Sequence, residues 1–163
     1  MADEAKSAYQ KALFLLERRD HTEAELRKKL KNKDFQPESI DIAIERLKEY
    51  RFIDDRRFIE HYLRYHMGEQ SRRTLSMKLL QKGIRAELFN VVYDELMSEF
   101  DVSPEQEALR KAVRAALRKS ERKGYLITCL PKEERNRIVG SLYRKGFSVG
   151  KINTELEKAV ESF

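Results

Sequence analysis

Three stretches of this chain, residues 22–50, 71–99 and 134–162, lie over one another without a gap, at offsets of 49 and then 63. Such self-similarity constrains the fold strongly, because each copy must build the same supersecondary unit and bury its apolar face against a neighbour. In this register Leu26, Leu75 and Ile138 coincide, as do Leu30, Leu79 and Leu142. Their spacing of four predicts an amphipathic helix at the start of each copy. Each helix then meets a turn: Lys33-Asp34-Phe35, Lys82-Gly83-Ile84 and Lys145-Gly146-Phe147. A left-handed residue followed by an apolar one is how many helices end, and Asp is among the few residues besides Gly that tolerate positive φ.

After each turn a second helix is predicted from apolar residues at i, i+4 and i+7: Ile40, Ile44, Leu47; Phe89, Tyr93, Leu96; Ile152, Leu156, Ala159. A third helical pattern precedes each copy, with Tyr9, Ala12, Leu13 and Leu16, then Phe58, Ile59, Tyr62 and Leu63, then Leu109, Ala112, Val113, Ala116 and Leu117. Capping signals fall at Thr22 with Glu25, at Pro37, and at Ser103-Pro104-Glu105-Gln106. Residues 123–133 insert a longer connector in the last copy, which accounts for the larger second offset. With only six Gly and three Pro, the chain lacks the turn formers of an all-β protein. The expected fold is all-α: three tandem three-helix repeats, at 1–53, 54–102 and 103–163, forming an elongated array with room for curvature. A shape of that kind presents a long surface to an extended partner rather than a pocket to a small molecule.

Enzyme chemistry finds little support. Neither a P-loop nor a G-x-G-x-x-G fingerprint occurs. His61 and His66 are five apart, the wrong spacing for a metal pair on one helix face, and each histidine, His21 included, reads as solvated or at a helix end. Cys129 has no partner for a disulfide and sits beside Ile127 and Leu130, so it reads as a small buried hydrophobe. Asp54-Asp55 precede an amphipathic helix and read as capping residues rather than metal ligands. No catalytic residue, metal or cofactor is expected. No apolar run resembles a signal peptide or membrane span, so the expected setting is the cytoplasm, without membrane contact.

Charge points to a partner. The formal net charge is +6, which favours a polyanion, either nucleic acid or an acidic protein surface. The sharpest feature is the helix predicted after Pro104, where Lys111, Arg114, Arg118 and Arg122 form one basic stripe opposite the apolar face, with no acid between residues 108 and 120. A face built only for solubility usually mixes both signs. Lys28, Lys29, Arg72, Arg73, Lys78 and Lys82 on the middle helices are secondary candidates. The last helices, carrying Glu155, Glu157 and Glu161, suit phosphate poorly.

Four segments resemble one known family, RecX. They are Arg19-Asp20-His21-Thr22-Glu23-Ala24-Glu25-Leu26-Arg27-Lys28-Lys29-Leu30; Tyr50-Arg51-Phe52-Ile53-Asp54-Asp55-Arg56-Arg57-Phe58 with the preceding Arg46-Leu47; Leu79-Leu80-Gln81-Lys82-Gly83-Ile84; and Leu142-Tyr143-Arg144-Lys145-Gly146-Phe147. They occur in the family's order over nearly the whole chain. Two positions depart from the pattern: Ile59 stands where the family often has Ala, and Arg51 where it usually has Gly before the Ile-Asp-Asp motif. The resemblance implies three three-helix repeats, binding as a monomer to RecA filaments on DNA, and inhibition of ATP hydrolysis, strand exchange and co-protease activity in recombination, DNA repair and the SOS response. It leaves direct contact with single- or double-stranded DNA open. A helix-turn-helix DNA-binding regulator is the alternative, since three-helix units with a tight Gly turn also fit that class, although the helices after the turns are acidic for a recognition role.

Overall fold

A computed structural model describes residues 2–101 and 103–162. Among the described residues there are nine α-helices, one 3₁₀ turn and no strand. The helices are α1 (Ala2–Leu16), α2 (Glu23–Lys31), α3 (Pro37–Glu49), α4 (Asp55–His66), α5 (Arg72–Gln81), α6 (Ala86–Met97), α7 (Pro104–Glu121), α8 (Lys132–Arg144) and α9 (Val149–Glu161). This is the expected order of three helices, three times over. The connector before α8 carries the 3₁₀ turn Ile127–Cys129.

The turns form as the register requires. Asp34, Gly83 and Gly146 all have positive φ, at 63°, 83° and 90°. The next residue's N–H reaches back to close each helix: Phe35 to the Leu30 carbonyl at 3.4 Å, Ile84 to Leu79 at 3.1 Å, and Phe147 to Leu142 at 3.4 Å. Two more helices end the same way. Gly124 (φ 89°) follows α7, and Arg51 (φ 55°) follows α3, where the Phe52 N–H reaches the Leu47 carbonyl at 2.8 Å.

The chain divides into two compact units, Met1–Tyr62 with Lys78–Asp94, and Leu63–Met77 with Glu95–Phe163. In the first, α1 packs on α3 and α2, enclosing Ala8, Ala12, Leu26, Leu30, Ile40, Ile44, Leu47 and Ile53. In the second, α7 packs on α9 and α8 around Leu109, Val113, Leu117, Ile138, Leu142, Phe147, Ile152 and Leu156. In both, the predicted apolar stripes face inward. Burying each Val, Leu, Ile or Phe side chain among them contributes about 1.5–3 kcal/mol, which holds these short helices together better than propensity can.

One junction recurs within each unit. In the first, the Thr22 hydroxyl at the start of α2 donates to the Lys82 carbonyl at the end of α5, at 2.6 Å. In the second, the Ser71 and Thr74 hydroxyls at the start of α5 both lie 2.9 Å from the Lys145 carbonyl oxygen at the end of α8. Ser71 lies 49 residues after Thr22, and Lys145 lies 63 after Lys82, so the pairing obeys the repeat register. A carboxylate from the following helix completes each junction: Asp55 accepts from the Glu23 N–H at 2.9 Å, and Glu105 from the Arg72 N–H at 3.0 Å. Free N–H groups of one helix and end carbonyls of another are thereby satisfied together.

Candidate partner-binding surface

Helix α7 begins at Pro104, whose missing N–H costs nothing at a first helical position. Its buried face carries Ala108, Leu109, Val113 and Leu117. At 100° per residue that leaves Lys111, Arg114 and Arg118 on the opposite side, with Arg122 at the C-cap. All four are exposed, and none makes an ion pair among the described residues. The neighbouring Arg110 differs: its Nε sits 3.2 Å from the Glu155 carboxylate, which is buried. The stripe therefore presents uncompensated positive charge, an arrangement that attracts anionic surfaces and is damped by salt.

The secondary candidates are more varied. Lys28 and Arg73 are exposed, while Lys29 and Arg72 are half-buried. Lys82 is engaged, its ammonium 2.8 Å from Glu25 and 5.7 Å from the centre of the Phe58 ring. Lys78, exposed on α5, also has an interaction within the protein. The four α7 cations are thus all exposed and unpaired among the described residues, whereas the secondary candidates are in part half-buried or engaged.

Several local expectations need correction. Cys129 is exposed rather than buried, because a 3₁₀ turn advances about three residues per turn and the buried position goes to Ile127. Ser103 precedes α7 without a side-chain capping bond, and Glu105, two residues on, serves α5 and the Lys151 ammonium (2.8 Å). Asp54 caps α4 as expected, accepting from the Arg57 N–H at 3.1 Å, but Asp55 turns away to α2. His21 lies at a helix end yet is buried, its Nδ1 3.2 Å from Glu25. Burial pushes the His21 pKa below its ordinary value despite that carboxylate. Thr22 and Glu25 form the expected capping box.

A second basic feature was not among the sequence candidates. An open groove in the first unit is lined by Arg27, Lys48, Arg51 and Arg85 together with Glu23, Asp54 and Asp55. Arg51 and Arg85 are exposed and make no side-chain ion pair among the described residues. The string Tyr50-Arg51-Phe52, cationic between two aromatics, is the sequence signal that could have exposed it.

Among the described residues no cluster of His, Cys, Asp and Glu could hold a metal ion, and no helix is long and apolar enough to cross a membrane.

The chain as a whole is similar to known proteins. A family profile described as RecX, first three-helix domain, matches residues 8–47. A regulatory protein RecX from Chlorobium phaeobacteroides is 37% identical over 110 residues, covering 63% of this chain and 68% of that protein. Another from Clostridium acetobutylicum is 33% identical over 106 residues, 64% of this chain but only 48%, about half, of the relative's length. The crystal structure of RecX from Lactobacillus salivarius is similar over the full length of both chains, with a TM-score of 0.80 at 25% identity.

Proposed function

The chain belongs to the RecX family of regulatory proteins, and from that premise we propose that it binds the RecA filament on DNA and damps its ATP hydrolysis, strand exchange and co-protease activity. The observation that carries this reading beyond the family name is the α7 stripe of Lys111, Arg114, Arg118 and Arg122, exposed and uncompensated. A filament of protein wrapped on DNA offers phosphates and acidic side chains at regular intervals. Three repeats, at 1–53, 54–102 and 103–163, would engage several of these at once, so that modest contacts sum through effective concentration. Bound there, the protein would restrain the protomer movements that turnover requires. It acts in this reading as a cytoplasmic monomer, by occupancy rather than by chemistry of its own.

Co-sedimentation tests the reading. The protein is spun with RecA filaments assembled on single-stranded DNA, and in parallel with the DNA alone. Recovery with the filament well above recovery with DNA is expected. Equal recovery in both would favour a DNA-binding regulator that ignores RecA.

A further inference from the structure

We propose that an open pocket between α7 and α8 holds a small phosphate dianion, either inorganic phosphate or the terminal group of a small phosphate ester. The pocket has a volume of about 240 Å³, and its polar lining is Lys119 and Ser120 from α7 with Glu134, Arg137, Ser141 and Arg144 from α8. It stands apart from the stripe of Lys111, Arg114, Arg118 and Arg122. One residue on from Arg118, Lys119 is turned about 100° around the helix, to the flank where Ala116 and Ser120 meet α8.

The first observation is charge. Glu134 is the one carboxylate in the lining, and it is buried and already engaged. It accepts from the Ser120 hydroxyl at 2.7 Å and lies 3.2 Å from the Arg137 guanidinium and 3.7 Å from the Lys123 ammonium. Three lining cations against one lining carboxylate leave a charge of +2, which a phosphate dianion neutralises.

The second observation is a set of polar groups without partners. Lys119 and Arg144 are exposed and make no ion pair among the described residues. Ser141 is half-buried in the middle of α8, where a serine hydroxyl commonly bonds the carbonyl four residues back, as Ser120 and Thr154 do here. Ser141 makes neither that bond nor any other side-chain hydrogen bond among the described residues. An ammonium, a guanidinium and a hydroxyl are thus all left to donate into one concavity.

The course of Arg144 is the third observation. Gly140 sits in the interior of α8, where glycine weakens a helix, and the neighbour its missing Cβ would meet is the Arg144 Nη1 at 3.8 Å. The guanidinium therefore folds back one turn along α8, to the level of Ser141.

Size and charge select the ligand. The pocket falls below the roughly 300–1,000 Å³ of sites for drug-sized molecules, so it suits a phosphate group with little attached. A carboxylate or a phosphodiester brings a single negative charge and leaves half of the pocket's excess unmatched. A tetrahedral dianion has oxygens for all three donors at once, and charge-assisted bonds of this kind are the strong ones.

The test uses the whole protein without RecA, titrated near neutral pH with inorganic phosphate, glycerol phosphate or dimethyl phosphate and followed by amide NMR, with sodium chloride matching the ionic strength. Saturable shifts centred on Lys119, Ser120 and Ser141 are expected with the first two anions, the tighter of them telling free phosphate from an ester. Dimethyl phosphate should bind several-fold more weakly. Lys119→Gln and Arg144→Gln should each weaken phosphate binding several-fold. Ser141→Ala is the decisive variant, because alanine favours the helix: its thermal midpoint should hold or rise while phosphate affinity falls. Shifts that grow linearly and equal those from sodium chloride would overturn the site, as would wild-type phosphate affinity in all three variants. Equal affinity for dimethyl phosphate would overturn it too, since a singly charged diester would then suffice.

Discussion

His21, Thr22 and Glu25 show how single residues at one helix start carry several tasks. Thr22 caps α2 and bonds the end of α5, while Glu25 returns the capping bond, meets His21 and receives the Lys82 ammonium at 2.8 Å. Burial alone would raise the Glu25 pKa, but the hydrogen bonds from Lys82 and His21 bring it below the ordinary value, and Glu23 is lowered in the same manner by Lys48 and Arg27. His21 is lowered by burial, so the folded protein holds fewer protons there than the unfolded chain. Its stabilising contribution is complete above the ordinary histidine pKa of 6.5 and is lost as pH falls below that value. A second loss follows below 4.5, where Glu23 and Glu25 take up protons. Thermal midpoints measured from pH 7.5 to 5 should therefore fall for the wild type and fall less for His21→Gln; parallel curves would show that His21 does not contribute. The cap at Asp54 was readable from sequence because its partner lies three residues on, whereas the role of Asp55 depends on a helix 32 residues earlier, which no local pattern reveals.

The helix junctions explain which turn residue each repeat carries. A Cβ on Gly83 would lie 2.2 Å from the Ala24 Cβ, and one on Gly146 would lie 2.4 Å from the Ser71 Oγ, so in both copies the turn must pass close to another helix start. Positive φ adds its own penalty. Gly83→Ala should cost about 2–5 kcal/mol in urea unfolding, combining left-handed strain with overpacking. Asp34 is also left-handed but exposed, and Asp34→Gly should be neutral or stabilising by up to about 1 kcal/mol. Similar losses from both substitutions would contradict the close-approach account. The elements themselves were legible because helix periodicity, the three turns and their apolar closers repeat in one register. The Cys129 turn was not, since a three-residue 3₁₀ segment leaves no periodicity to read.

Across the whole molecule, family membership was legible in the ordered motifs, and the basic stripe was legible because a long helix with a regular apolar face fixes where its remaining side chains point. The Arg51 groove was harder to see, because it joins residues from Arg27 to Arg85 that become neighbours only in the fold. The central claim is that the α7 stripe makes the protein a regulator of the RecA filament. The most direct measurement is inhibition of RecA-catalysed ATP hydrolysis by the variant in which Lys111, Arg114, Arg118 and Arg122 are all replaced by Gln. Gln has nearly the helix propensity of Lys and Arg, so circular dichroism should match the wild type. Inhibition should weaken sharply, and its dependence on salt should become shallower because fewer charges remain to be screened. An unchanged inhibition curve and salt dependence in the correctly folded variant would contradict the account and show the stripe to be a solvated face.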